Sequence, residues 1–222
     1  MEKMQLFPST VWRFRIDPNS YDKQRLVNEA SENFRRDPYR NKWPNDGTLH
    51  HCYDDWDNPN FIKYDFESLN LYNIYNPIVA QFAASLELVK PTPYKYEIVN
   101  VTANGPKQYM GVHNHIVNRS EYATCYAAVH YIKLLPHQPS TTFVNPMGAA
   151  TQPSTFDYVR DFFSFDSHDA STYQQFWEIS TTEDDLVIFP SYLNHKVRGN
   201  WEKQSPNEDI RITVALNIDL YK

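Results

Sequence analysis

Residues 94–135 read YKYEIVNVTANGPKQYMGVHNHIVNRSEYATCYAAVHYIKLL. Three runs rich in Val, Ile, Tyr and Thr lie within this stretch, Tyr94–Thr102, Gln108–Val117 and Thr124–Leu135, separated by turn-forming clusters. β-Branched and aromatic side chains suit the pleated surface of a strand, and no helical period intervenes between the runs. Strands joined without helical crossovers pair antiparallel, so the stretch excludes a doubly wound α/β sheet.

The same pattern continues towards the C-terminus, where Thr141–Val144, Gln174–Ile179, Leu186–Phe189 and Arg211–Asp219 read as further strands. Residues 146–172 form a Ser/Asp/Thr-rich loop of the length used for lids and binding loops. Towards the N-terminus the pattern changes. Thr10–Ile16 alternates as an opening strand and ends at Asp17-Pro18. Ser20 reads as the N-cap of a helix carrying Leu26, Val27, Ala30 and Phe34, which stops before Asp37-Pro38. Residues 38–60, rich in Asn, Asp, Pro and Trp, read as an irregular surface segment. Asn76-Pro77 reads as a second helix start, followed by the apolar stripe Ile78, Phe82, Leu86. The expectation is a mainly β protein with N-terminal helices, an antiparallel sandwich or jelly roll. Residues 1–222 form a single domain, with 1–92 a helical support region and 93–222 the β core.

Composition sets further bounds. The chain has 222 residues, 41% hydrophobic and 15% aromatic, enough to bury a core without disulfide or zinc staples. Its net charge of -6 argues against a protein that coats nucleic acid or an anionic membrane. Cys52 and Cys125 form no CxxC pair, and no run approaches ~18 apolar residues or resembles a secretory leader. The expected setting is cytoplasmic. No Walker loop, nucleophile elbow or dinucleotide fingerprint is present.

The segment Tyr109-Met-Gly-Val-His113-Asn-His115-Ile-Val carries the chemistry. Side chains alternate across a strand, so His113 and His115 share a face, roughly 6–7 Å apart by strand rise. Two imidazoles so placed suit one metal ion, or a pair of hydrogen-bonded strand histidines. Further on, Asp185-Leu-Val-Ile-Phe189-Pro-Ser-Tyr-Leu-Asn-His195 is an apolar strand, a proline turn and a histidine opening the next strand. Then Arg211-Ile-Thr213-Val-Ala-Leu-Asn217 puts Arg211, Thr213 and Ala215 on one face. An arginine entering an apolar strand calls for an anionic partner if it is buried.

Taken in order, His-x-His, LVIFPSYLNH and RITVALN resemble the 2-oxoglutarate/Fe(II)-dependent oxygenases of bacteria and marine phages, relatives of the prolyl hydroxylases. The opening LFPSTVW and the helices before the β region fit the same resemblance, which covers most of the chain. It implies a double-stranded β-helix, cupin-like, buttressed by helices. It implies Fe(II) held by His113 and/or His115 together with His195. It implies 2-oxoglutarate chelating the metal, its distal carboxylate gripped by Arg211 in a bidentate fork, with Thr213 and Tyr131 touching the same group. Asn100 occupies the place of a cosubstrate-binding asparagine in some relatives.

One position departs from the family pattern: His115 stands where the usual facial triad has Asp or Glu. Three readings stay open. All three histidines ligate; or His115 is the first ligand, with Val117 in the carboxylate position; or a nearby acid such as Glu121 supplies the oxygen. The remaining histidines have ordinary explanations: His50-His51 in the irregular segment, His130 facing away from the pocket, His137 and His168 solvated in loops. Asp54-Asp55 and Glu183-Asp184-Asp185 read as solvated turns. Competing functions are a cupin-like three-His dioxygenase needing no 2-oxoglutarate, against which Arg211 and Thr213 argue, and a non-catalytic jelly-roll binding protein. Expected partners are a small-molecule or peptide substrate, no membrane, no bulk nucleic acid, and room for a homodimer.

Overall fold

The computed structural model describes residues 1–6, 9–38, 40–42, 48–51, 58–86, 88, 92–146, 174–199 and 209–221. Before the central β region come β1 (Glu2–Leu6), β2 (Ser9–Arg15), α1 (Lys23–Arg36), β3 (Asn41–Lys42), β4 (Thr48–His51) and α2 (Leu71–Ala84). The central region runs β5 (Tyr94–Asn104), β6 (Met110–His113), β7 (Tyr122–Lys133), β8 (Thr142–Val144) and β9 (Phe176–Glu178). It finishes with β10 (Asp185–Pro190), β11 (His195–Val197) and β12 (Arg211–Tyr221).

Two antiparallel sheets result. The larger has the order β1-β2-β10-β7-β12-β5-β4-β3, the smaller β6-β11-β8-β9. From β5 to β12 the chain crosses repeatedly between them, so that β5, β7, β10 and β12 lie in one sheet and β6, β8, β9 and β11 in the other. That winding is the double-stranded β-helix expected from the sequence. The N-terminal residues do more than support it: β2 pairs with β10 at one side of the large sheet and β4 with β5 at the other.

The large sheet is buried on both faces, and the period of two sorts its residues. Val11, Ala127, Tyr131, Val187 and Phe189 point inward with Phe143 and Leu193. Trp12, Phe14, Ala128, Ile132, Leu186, Ile188, Ile212, Val214, Leu216 and Ile218 point outward, where Leu26 and Ala30 of α1 and Ile74, Tyr75, Val79 and Phe82 of α2 cover them. The helices therefore buttress one face.

Three local readings need correction. The cap of α1 is Asp22, whose side chain accepts from the Arg25 N–H, while Ser20 ends a short 3-10 turn, Pro18–Ser20. Helix α2 begins at Leu71, behind Asn70 in a left-handed conformation (φ 64°), and runs through Pro77. Burial of Leu71, Ile74 and Tyr75 outweighs the one backbone bond that proline removes. Within 38–60, the strands β3 and β4 replace part of the irregular segment; residues 43–47 and 52–57, with Asp54-Asp55, lie outside the described residues.

The run Glu183-Asp184-Asp185 is not a solvated turn either. Asp184 and Asp185 are each 4% exposed. Asp184 accepts from the Tyr21 hydroxyl at 2.8 Å and pairs with Lys23 Nζ at 2.7 Å, while Arg15 Nη1 stands 3.4 Å from Asp185. Cations brought from β2 and the first turn of α1 make this burial tolerable.

His130, on the outward face of β7, is wholly buried, its Nδ1 2.8 Å from the Tyr75 hydroxyl. Burial first, then the charges of Lys23 and Arg15, push its pKa down to about 3. Between about pH 6.5 and 3 the unfolded chain binds a proton that the folded chain refuses, so this contribution to stability is complete above ~6.5 and lost as pH falls. Urea denaturation from neutral to acidic pH should show a slope of up to ~1.4 kcal/mol per pH unit from this group, absent in His130→Gln. In the same layer, the Phe82 ring meets Trp12 at 5.0 Å and Tyr126 at 4.9 Å edge-on. Phe82→Ala should cost about 3–5 kcal/mol in the same measurement.

Candidate metal centre and anion pocket

Strand β6 pairs with β11, and His113 stands directly opposite His195. β6 ends at His113, so His115 does not lie on the strand as the alternation predicts. Its backbone N–H instead donates to the Ser191 carbonyl at 2.9 Å, which holds the segment against the β10–β11 turn. The rings still converge, with centroids 4.1 Å apart for His113–His195, 5.2 Å for His115–His195 and 5.4 Å for His113–His115. One ligand nitrogen from each lies within 4.8 Å of the others.

The Nδ1 of every ring has an oxygen to meet. His113 Nδ1 is 2.9 Å from the Gly111 carbonyl, His195 Nδ1 is 3.0 Å from the Leu193 carbonyl, and His115 Nδ1 is 2.8 Å from Asn217 Oδ1. A backbone carbonyl can only accept, which assigns the proton to Nδ1 and the lone pair to Nε2 in His113 and His195. Burial, reinforced by His113 and His115, holds the His195 pKa well below the usual imidazole value. Burial also lowers that of His115, partly offset by the Asn217 bond. Burial thus favours the neutral imidazole at His115 and His195, the form that binds a divalent first-row metal.

Among the described residues no carboxylate joins this group. Glu121 is exposed, and Val117 contributes only wall to the adjoining cavity. Of the three readings left open by the sequence, the geometry brings all three histidines together.

The cavity, about 240 Å³, extends from the histidines across the inward face of β12. There Arg211 faces Asn104, Thr213 faces Thr102 and Ala215 faces Asn100 on β5, while Thr213 and Ala215 face Tyr131 and Val129 on β7. Arg211 is 1% exposed. Its Nε donates to the Pro139 carbonyl at 3.0 Å, Nη1 is 3.5 Å from Asn104 Oδ1, and the guanidinium carbon is 5.4 Å from the Tyr131 ring centre. Among the described residues no carboxylate lies within ion-pair distance of it. Burial lowers its pKa, opposed by the Tyr131 phenol and Glu178; a guanidinium stays charged regardless. The buried Asn104 Nδ2 also has no acceptor among the described residues.

The other residues marked by the sequence fall into place. Thr213 and Asn100 line the cavity, and the Asn100 oxygen accepts from the Thr102 hydroxyl at 2.8 Å. Tyr131 sits behind Arg211, its hydroxyl donating to Thr141 Oγ1 at 2.6 Å. His137 is not solvated: its Nε2 is 2.7 Å from the buried Asp209 carboxylate, brought close by the approach to β12. His50 and His51 lie on β4 opposite Ala103 and Thr102. His168 and residues 147–173 of the long loop lie outside the described residues. Asn217 was not singled out by the sequence reading, although it continues the Arg211, Thr213, Ala215 parity.

No protein-family model matches the chain, and no curated protein matches it by sequence. Its fold is similar to that of viral collagen prolyl hydroxylase vCPH from Paramecium Bursaria Chlorella virus-1, solved with 2OG, at 11% identity and a TM-score of 0.53, over 94% of this chain and 95% of that one. It is similar also to SnoK, a non-heme alpha ketoglutarate dependent carbocyclase from nogalamycin biosynthesis, at 12% identity and a TM-score of 0.55, over 95% and 79%. AviO1 from Streptomyces viridochromogenes Tue57 aligns at 16% identity and a TM-score of 0.51, over 96% and 89%. The likeness is one of fold across nearly the whole chain.

Anaerobic loading with Fe(II) followed by desalting should leave one iron per chain in a colorimetric assay. His195→Ala, which removes the most buried of the three rings, should leave none.

Proposed function

We propose that the protein is a non-haem Fe(II)- and 2-oxoglutarate-dependent oxygenase acting on a small-molecule or peptide substrate. The observation that carries this reading is Arg211, a buried guanidinium without a carboxylate partner among the described residues, opening onto the same cavity as three converging imidazoles. An isolated buried charge is costly, and a ligand carboxylate is the partner that relieves it. The unpartnered Asn104 Nδ2 beside it adds a second donor of the same sense. The similarly folded vCPH and SnoK, described with 2OG and as alpha ketoglutarate dependent, support the same cosubstrate.

In this reading His113, His115 and His195 hold iron through Nε2, and Arg211 with Thr213 holds the distal carboxylate of 2-oxoglutarate. Tyr131 keeps the guanidinium in place from behind, and Asn100 forms the neighbouring wall. Bound together, iron and 2-oxoglutarate would let dioxygen act as the oxidant, one oxygen atom entering the succinate formed with loss of CO2 and the other the substrate C–H bond. The donor set of this chain fits that pair: neutral nitrogens for the metal, a fixed cation for the far end of a dicarboxylate.

No helix among the described residues is long and apolar enough to cross a membrane. A reducing cytoplasm, where the Cys125 thiol stays free, accords with Fe(II) chemistry.

A second reading, a three-His dioxygenase without 2-oxoglutarate, draws on the missing carboxylate ligand. The two separate in one experiment. Under anaerobic conditions 2-oxoglutarate should produce a weak visible charge-transfer band in the Fe(II) protein. Arg211→Leu should keep its iron and weaken 2-oxoglutarate binding by about 2–5 kcal/mol. Wild-type protein that holds iron but gives no band and no binding points to the second reading.

A further inference from the structure

We infer that Asn217 is the positioning residue that makes His115 a metal ligand in place of the carboxylate expected there. The inference rests on the metal-centre reading above.

His115 lies beyond the end of β6, so no strand ladder orients its ring. Among the described residues its backbone N–H is held by the Ser191 carbonyl, and its ring by one hydrogen bond, Nδ1 to Asn217 Oδ1 at 2.8 Å, across 102 residues of chain. Asn217 itself is well held. It is 6% exposed in the middle of β12, opposite Glu97 on β5 and Ala127 on β7. Its side chain follows the inward parity of Arg211 and Thr213 and reaches the cavity wall.

With the Asn217 oxygen as acceptor, the His115 proton stays on Nδ1 and the lone pair turns to Nε2. His113 and His195 obtain the same arrangement from backbone carbonyls two residues before them, Gly111 and Leu193. His115 has no such local carbonyl and depends on a side chain brought from another strand. Outer partners of this kind fix the tautomer and direction of a metal-bound imidazole. An amide does so without adding charge, unlike the carboxylate often found in this role. The centre then has three neutral ligands, and the positive charge of the ion faces the cavity shared with Arg211.

The test uses Co(II) alone as probe, with anaerobic titration followed by absorption and chelator competition, so that neither 2-oxoglutarate nor turnover enters. Asn217→Leu keeps the volume and removes the acceptor; it should bind Co(II) about 10–100-fold more weakly and change the ligand-field spectrum. Asn217→Asp keeps an acceptor and should restore affinity to at least the wild-type level. In a double-mutant cycle, His115→Ala should add no further loss in the Asn217→Leu background. Thermal melts of the metal-free variants check that each is folded. Unchanged affinity and spectrum in Asn217→Leu, or additive losses in the cycle, overturn the inference while leaving the metal centre intact. Wild-type protein that takes up no Co(II) overturns the metal-centre reading and this inference together.

Discussion

Strand β12 has two incompatible environments to satisfy, and the period of two along an extended chain is what lets it do so. Ile212, Val214, Leu216 and Ile218 face the helices, while Arg211, Thr213, Ala215 and Asn217 face the cavity. It is paired along both edges, by β5 and β7, and its residues from Arg211 to Asp219 are buried on both faces. A slip of one residue would turn the guanidinium to the apolar face of the sheet and aliphatic side chains towards the cavity. The hydrophobic seal against α1 and α2 therefore fixes the register that aims the polar row, and the site inherits its geometry from packing on the other side of the sheet.

The polar row explains how an acidic chain keeps a cationic interior. The net charge is -6, yet among the described residues those lining the cavity include Arg211 and three imidazoles and no carboxylate. Burial lowers the pKa of His115 and His195, so the positive potential comes from Arg211 and, in the proposed centre, from the ion. Both favour a small anion spanning the space between them. In the proposed centre a third ligand that is histidine rather than carboxylate would strengthen this bias, because it would leave the charge of the ion uncompensated.

The opposite face carries a separate polar network with a different purpose. Tyr21, Lys23, Tyr75, His130 and Asp184 join α1, α2 and the β9–β10 connection beneath the large sheet. None of these residues lines the cavity beside the three histidines. They locate the helices against the sheet, and the complete burial of His130 there lowers its pKa. Stability and chemistry thus draw on opposite faces of the same strands.

Composition and periodicity determined the architecture. Runs of β-branched and aromatic residues without intervening helices specify antiparallel strands, and the parity of Arg211, Thr213 and Ala215 can be read because strand geometry is local. That His195 and Arg211 belong with His113 and His115 was implied by the family resemblance that the order of motifs carries, and the structure places all four on one cavity. Helix starts were misread where local signals competed, as at Ser20 and Asn76-Pro77, because burial of Leu71, Ile74 and Tyr75 acts through partners distant in sequence. The acids at 183–185 looked solvated for the same reason, since their cations, Lys23 and Arg15, arrive from the other end of the chain. The fate of His115 was beyond any one-dimensional reading. Its strand ends at His113, and only the folding of β12 against β7 and β5 brings the Asn217 oxygen to its Nδ1. A hydrogen bond between residues far apart in sequence leaves no periodic trace, so tertiary structure alone decided how that ring is held.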